Sequence, residues 1–309
     1  MSEVQVAAVV VTWNRRELLA QSLQAIQRQT LAPAVVIVVD NASDDGTGRM
    51  LAERFPQLEV VQALVNTGGA GGFAIGLEEA LSRGCRLVWL MDDDTVPEAT
   101  ALAQLVSARQ RYVGAAPALV ASRVIWTDGR DHPMNTPRAK PGMRVEERAA
   151  SAEVGCIPIR SASFVSVLVD ADLVRERGLP IADYFLWNDD FEFTTRIIRG
   201  GRALYCPASV VVHKTRTFGA TDADPGERFF YEVRNKIWLF SRSDGLSLVE
   251  KALYAGSTVR RWTRTIGGSR DRRTLWRGLR AGVVAGVKTR PRPTEDVIAA
   301  ATGRQPRRD

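Results

Sequence analysis

Four apolar, β-branched runs fall within the first 95 residues, and each ends on a cluster of polar side chains. The runs are Val4–Thr12, Ala34–Val39, Leu58–Val65 and Leu87–Met91. Unbroken apolar strands of this kind suit a sheet that is covered on both faces. Between them the pattern turns helical. Asn14-Arg-Arg-Glu17 has the form of a capping box, with Leu19, Ser22, Leu23 and Ile26 following at helical spacing. Turn chemistry at residues 41–46 leads into a short helix around Met50 to Phe55, and Gly71–Ser82 reads as another. Strands and helices alternating at such short intervals predict an α/β fold, a mainly parallel, doubly wound sheet with helices on both faces. Ligands of such sheets bind beyond the carboxyl ends of the strands. Thr12–Asn14, Asp40-Asn41, Asn66–Gly72 and Asp92–Asp94 all fall at those ends, so they are expected to share a site.

Asp92-Asp93-Asp94 is the costliest of these clusters, because adjacent carboxylates repel and resist burial. Alternate carboxylates can grip one hard divalent cation such as Mg²⁺ or Mn²⁺, and that cation can bridge to a diphosphate. The competing reading is a solvated turn that caps the next helix. Gly69-x-Gly71-x-x-Ala74 mimics a dinucleotide fingerprint but follows the third strand, whereas that fingerprint belongs to the first turn. The glycines instead predict close approach of a ligand or of the acidic loop to the backbone. Asp40 fits either a hydrogen bond to a base N–H or a local Asx-turn.

Asp189, Asp190 and Glu192 open a predicted helix, Phe191–Arg199, and Trp187 and Phe191 flank them. The helix dipole alone accounts for acids there. Apolar walls, however, raise a carboxylate's pKa toward that of a general base. Of two histidines, His132 lies in a polar loop and is expected to do nothing. His213 ends a strand, Leu204–His213, and suits the third position of a metal site with two carboxylates.

The last third changes character. Residues 229–239, Leu246–Trp262 and Thr274–Lys288 read as helices, with Trp276, Leu279, Val283 and Val287 as an apolar stripe on the last. Residues 256–309 carry fourteen Arg or Lys against four Asp or Glu, a net +10 within a chain of net +7, which leaves −3 for the rest. The basic character belongs to the tail. Such a tail suits anionic lipid, a phosphate-bearing substrate or nucleic acid, but no DNA- or RNA-binding motif accompanies it. Residues from Pro293 are expected to form a loose tail. Cys85, Cys156 and Cys206 are odd in number and lack a C-x-x-C pair, which favours a reducing, cytoplasmic setting over disulfides or structural zinc. The N-terminus has no basic n-region, so no signal peptide is read, and no apolar run approaches the ~20 residues that span a bilayer.

Val11-Thr-Trp-Asn-Arg15, Val38-Val-Asp-Asn-Ala-Ser43, Asn66-Thr-Gly-Gly-Ala-Gly-Gly-Phe73, Asp92-Asp-Asp94, Trp187-Asn-Asp-Asp-Phe-Glu192 and His213 occur in an order that resembles the family 2 inverting glycosyltransferases of GT-A fold. The resemblance spans residues 4–240. Within that superfamily, the Gly-rich segment and Arg228-Phe-Phe-Tyr-Glu-Val-Arg-Asn235 are similar to actinobacterial galactofuranosyltransferases of cell-wall galactan assembly, and rhamnosyltransferases share most of these motifs.

The resemblance implies a UDP- or dTDP-sugar donor and a lipid-diphosphate-linked glycan acceptor. Asp40 would hold the donor base with Thr12 and Arg15 nearby, while Asn66, Gly69, Gly71 and Trp187 line the nucleotide and sugar and Asp93 faces the ribose or sugar. Asp92, Asp94 and His213 would hold Mn²⁺ or Mg²⁺. One of Asp189 and Asp190 would be the base, Asp190 by family habit, and Glu192, Arg234 and Asn235 would meet the acceptor. A GT-A domain over 1–217, a helical, membrane- or acceptor-facing region over 218–292 and a flexible tail over 293–309 are expected. So is peripheral attachment to the anionic inner face of the cell membrane, with homo-oligomers allowed and nucleic acid excluded. Alternatives are transfer of rhamnose from dTDP-rhamnose and a non-catalytic nucleotide-sugar-binding protein.

Overall fold

A computed structural model describes residues 5–137, 139–140, 142–218 and 224–305. β1 (Val6–Thr12) is central to the N-terminal half and pairs in parallel with β2 (Val35–Asp40) and with β4 (Leu87–Asp92), while β3 (Glu59–Gln62) pairs in parallel outside β2. The crossovers are α1 (Arg16–Gln27), α2 (Thr47–Arg54) and α3 (Gly68–Ser82). Along β1, Ala7, Val9 and Val11 enter one core with α3, whereas Val6, Ala8 and Val10 enter the other with Leu19 and Leu23 of α1. That two-sided burial is why the strand is apolar without alternation.

The sheet then becomes mixed. Its further strands are β5 (Thr95–Pro97), β6 (Leu119–Ile125), β7 (Ile157–Pro158), β8 (Ser166–Asp170) and β9 (Ala203–His213), in the order β3-β2-β1-β4-β8-β6-β9-β5 with β7 on β9. β8 is antiparallel to β4 and β6, β5 and β7 are antiparallel to β9, and β6 is parallel to β9. The expectation of a mainly parallel sheet thus holds for the first half, whereas in the second half β6 and β9 pair in parallel among antiparallel neighbours. A run such as Phe164–Val169 is equally apolar in either direction, so its composition carries no pairing sense. Helices α4 (Ala101–Arg111), α5 (Val145–Glu153), α6 (Ala171–Arg177) and α7 (Asp189–Ile198) accompany these strands.

Two local expectations fail. The capping box at Asn14 does not form. Asn14 takes a left-handed φ of 53° and its Oδ1 accepts from the Asp44 amide, while Asp45 Oδ2 accepts the first helical amide, that of Arg16. A neighbouring loop therefore supplies the cap. The loose tail is also corrected. α8 (Phe229–Arg242), α9 (Leu248–Gly268) and α10 (Arg272–Lys288) are followed by α11 (Thr294–Thr302), which buries Val297, Ile298 and Ala301 in the core shared with α3. The Leu64 amide donates to Ala301 O at 2.7 Å, and Arg304 pairs with Glu79. Residues 306–309 lie outside the described part.

α10 buries Leu275, Gly278, Gly282 and Gly286 rather than the expected stripe. A Cβ on Gly282 would stand 2.7 Å from Val233 Cβ and one on Gly286 2.7 Å from Ile237 Cβ, so the glycines let α8 lie close. Trp276 and Val287 consequently face outward, more than half exposed. No helix among the described residues is long and apolar enough to cross a membrane.

Candidate active site

The turn between β4 and β5 divides the acidic triplet. Asp93 points back to β1, where its Oδ2 accepts from Thr12 Oγ1 at 2.8 Å and from the Trp13 amide at 3.3 Å. Arg15 binds Asp93 Oδ1 at 3.1 Å and Asp94 Oδ2 at 2.6 Å. Burial raises the Asp93 carboxyl to about 6 against the pull of Arg15. Thr12, Arg15 and Asp93 therefore brace the acidic turn from the end of β1.

Asp92 and Asp94 face the other way, towards His213, and ligand atoms of the three lie within 4.8 Å of one another. The register of β9 on β5 places His213 opposite Thr95, beside the turn. His213 Nε2 is 3.1 Å from Asp94 Oδ1, yet Oδ1 is sealed from solvent without an aligned donor. Burial raises Asp92 to about 7, and repulsion from Asp94 adds to it. Burial also pushes Asp94 up, but the His213 contact and Arg15 outweigh it and hold Asp94 low. His213 is raised, because Asp94 and Asp92 overcome the lowering effect of burial. Two hard oxygens and an imidazole converging without an aligned hydrogen bond between Nε2 and Oδ1 fit a divalent cation.

Asn135, absent from the sequence expectations, completes this corner. Its Oδ1 lies 3.0 Å from His213 Nδ1. A carbonyl oxygen only accepts, so in the neutral ring Nδ1 carries the proton and Nε2 turns its lone pair to the site. His132, expected to be idle in a polar loop, is instead fully buried with its ring 5.1 Å from that of His213.

Of the two readings of Asp40, the Asx-turn is formed. Oδ1 accepts from the Ser43 amide at 3.0 Å as an Asx-turn, while Oδ2 is buried without a partner. Leaving a buried acceptor unpaired costs about 1–3 kcal/mol, which a base N–H in place would recover. Asn41, expected in the shared site but without a role, is a structural tie. It ties the strand end to the Gly-rich turn, accepting from the Thr67 amide and donating to Gly68 O at 2.8 Å. Asn66 Oδ1 accepts from the Gly68 amide. The backbone that crowds these glycines is not the acidic loop. Gly68 has a φ of 70°, and a Cβ there would sit 1.9 Å from Phe185 O. A Cβ on Gly69 would lie 4.0 Å from Asp189 Oδ2, and one on Gly71 would strike Thr67.

The segment before the acidic pair is strained. Phe185, Trp187 and Asn188 have φ of 63°, 65° and 66°. Each such residue costs on the order of 1–3 kcal/mol and persists only where its surroundings over-determine it. Fully buried Asn235 supplies the constraint, its Nδ2 lying 2.9 Å from the carbonyls of Tyr184, Leu186 and Trp187. Arg234 donates to Asp183 O and Tyr184 O. The expected acceptor contacts of Arg234 and Asn235 are thus spent on this segment. Glu192 is likewise turned inward to Arg196 and Ser243. Asn235→Ala is expected to lower transfer about 100-fold through misplacement of the acidic pair. Circular dichroism should show melting lowered by only a few degrees.

Asp189 and Asp190 stand at the start of α7. Burial, then repulsion from Asp190, pushes Asp189 well up. Burial also raises Asp190, but the Phe191 amide, donating to Oδ1 at 2.6 Å, and Lys236 oppose it. Of the pair, Asp190 is therefore the one better kept ionised.

The mixed α/β sheet that carries this carboxylate–carboxylate–histidine cluster and acidic pair has the GT-A fold of its solved neighbours. Residues 7–166 match the family described as Glycosyl transferase family 2, and the chain belongs to it. It is 31% identical over 256 residues to galactofuranosyltransferase GlfT1 of Mycobacterium tuberculosis, covering 77% of this chain and 82% of that one. Against galactofuranosyltransferase GlfT1 of Mycolicibacterium smegmatis it is 32% identical over 201 residues, 63% of this chain and 66% of the relative. Among solved structures, S. aureus TarS 1–349 in complex with UDP-GlcNAc superposes with a TM-score of 0.62 at 15% identity, covering 91% of this chain and 81% of TarS. The mannosyltransferase PcManGT of Pyrobaculum calidifontis, in complex with GDP-Man and Mn²⁺, gives 0.52 at 19% identity, over 96% of this chain and 78% of that one.

Proposed function

We propose that this glycosyltransferase moves galactofuranose from UDP-galactofuranose onto a polyprenyl-diphosphate-linked glycan in cell-wall or surface polysaccharide synthesis, with a divalent metal ion and inversion at the anomeric carbon. The observation that carries the sugar assignment is the 31% identity over 256 residues to galactofuranosyltransferases. In this reading Asp40 Oδ2 receives the N–H of the donor base, and Asp92, Asp94 and His213 hold the metal. When bound, Mn²⁺ or Mg²⁺ would supply positive charge to the departing diphosphate. Asp190 takes the proton of the acceptor hydroxyl as its oxygen bonds to the anomeric carbon and the bond from that carbon to the diphosphate oxygen breaks. No covalent nucleophile is needed. Asn235 and Arg234 orient Asp190 through the segment they clamp.

The acceptor side fits a lipid surface at the cytoplasmic face of the membrane. Leu253, Val259, Trp276, Val284 and Val287 are exposed on α9 and α10, with Arg260, Arg264, Arg280 and Lys288 among them. Basic residues near anionic headgroups contribute about 1 kcal/mol each. A radiolabel transfer assay offering UDP-galactofuranose and dTDP-rhamnose with a lipid-diphosphate acceptor tests the assignment. Product is expected from the first donor. Product from dTDP-rhamnose alone would replace the sugar, and product from neither would remove this acceptor class.

A further inference from the structure

Lys236 of α8 is a buried residue, 7% exposed, whose ammonium makes no hydrogen bond or ion pair among the described residues. Its Nζ lies 4.8 Å from the ring centroid of Phe191 and 5.9 Å from that of Phe240. Phe191 is the residue after Asp190. Lys236 would ordinarily pair with Glu232, one helical turn earlier. Glu232 is already taken. It accepts from Asn188 Nδ2 at 2.8 Å, from Trp262 Nε1 at 3.2 Å and from Arg261. Phe191, whose ring Nζ faces, also donates its amide to Asp190 Oδ1, so the cation stands on the residue that holds the Asp190 carboxylate, and a nearby cation favours an ionised carboxylate.

We propose that Lys236 is a positioning residue of the transfer reaction, the countercharge that keeps Asp190 ionised beside the acceptor hydroxyl. This rests on reading Asp190 as the base. The charged groups around the pair are few. Asp189 lies beside Asp190 on α7, and Asp92 of β4 acts on Asp189. Glu232 of α8 raises Lys236 more than Asp190 does, and Arg261 of α9 lowers it. Lys236 is the cation that favours the Asp190 carboxylate, against burial. Burial lowers Lys236 itself to about 8, so it remains charged at neutral pH.

The test is the pH dependence of kcat in the intact protein for Lys236→Met, Lys236→Gln and Lys236→Arg, with each fold checked by circular dichroism and with Asp190→Asn as reference. The neutral variants are expected to move the acidic limb up by about one pH unit, a tenfold rate loss on that limb that is regained at higher pH. The donor KM should not change, and Lys236→Arg should keep the wild-type limb. A uniform rate loss at every pH, an unmoved limb or an arginine variant that behaves like methionine would overturn the countercharge role. Retained transfer in Asp190→Asn would instead remove the base reading, whatever the Lys236 variants do.

Discussion

Asp190→Asn is expected to lower kcat by about 10³–10⁴ while donor affinity stays within a few-fold, since a positioned general base contributes up to that range. The amide has the same shape but cannot take the acceptor proton. It would also keep an oxygen to accept from the Phe191 amide, so the first turn of α7 should survive. Asp189→Asn is the internal comparison. Asp189 lies deeper, and burial together with Asp190 favours its protonated form, which already resembles the amide. Its replacement should cost far less. Donor titration by calorimetry beside initial-rate measurements separates the two variants. If Asp189→Asn is the dead variant and Asp190→Asn is active, the assignment within the pair is reversed.

Asp94→Asn should be at least as damaging, by a different route. Asp94 combines three features: a place with Asp92 and His213 in the candidate metal site, an ion pair with Arg15 and an unpaired buried oxygen. Removing a residue that only orients a metal ligand typically costs 10–100-fold in metal affinity or activity. Asn135→Ala should fall in that range, and loss of the ligand itself should exceed it. Chelation of the wild-type protein should abolish transfer, and Mn²⁺ or Mg²⁺ should restore it. In Asp94→Asn, added metal should rescue poorly and only at higher concentration. Metal titration followed by transfer rate measures this directly, and full activity in chelator would remove the metal from the account.

The strand ends were legible because a buried strand must surrender its polar residues where it leaves the core. Asp40, Asp92, Asp94 and His213 announce themselves that way, and the register of β9 on β5 then brings the last beside the others. Direction was harder to read. Asp93 sits between two candidate ligands, but alternation along the chain turns it to Thr12 and Arg15. Glu192 follows Asp190 by two residues, just over half a helical turn, and so faces Arg196 and Ser243 instead of the cleft. Asn235 was legible as important but not as a clamp, since an amide gives no sign of whether backbone or ligand will receive it. Lys236, its neighbour, gave no signal beyond a cation in an apolar helix. α11 had signals that were missed: Pro293 at the N-cap, Glu295 and Asp296 in the first turn, and Gly303 in the left-handed conformation beyond its end. The glycines of α10 misled in the opposite sense, because the apolar stripe beside them drew the eye while close packing used the bare backbone.

The most direct test of the central claim is the anomeric configuration of the product formed from UDP-galactofuranose and a lipid-diphosphate acceptor, read by NMR, with Mn²⁺ and with chelator. A single displacement assisted by Asp190 gives a product of inverted configuration in the presence of metal and none in chelator. Retained configuration, or equal product without metal, would contradict it.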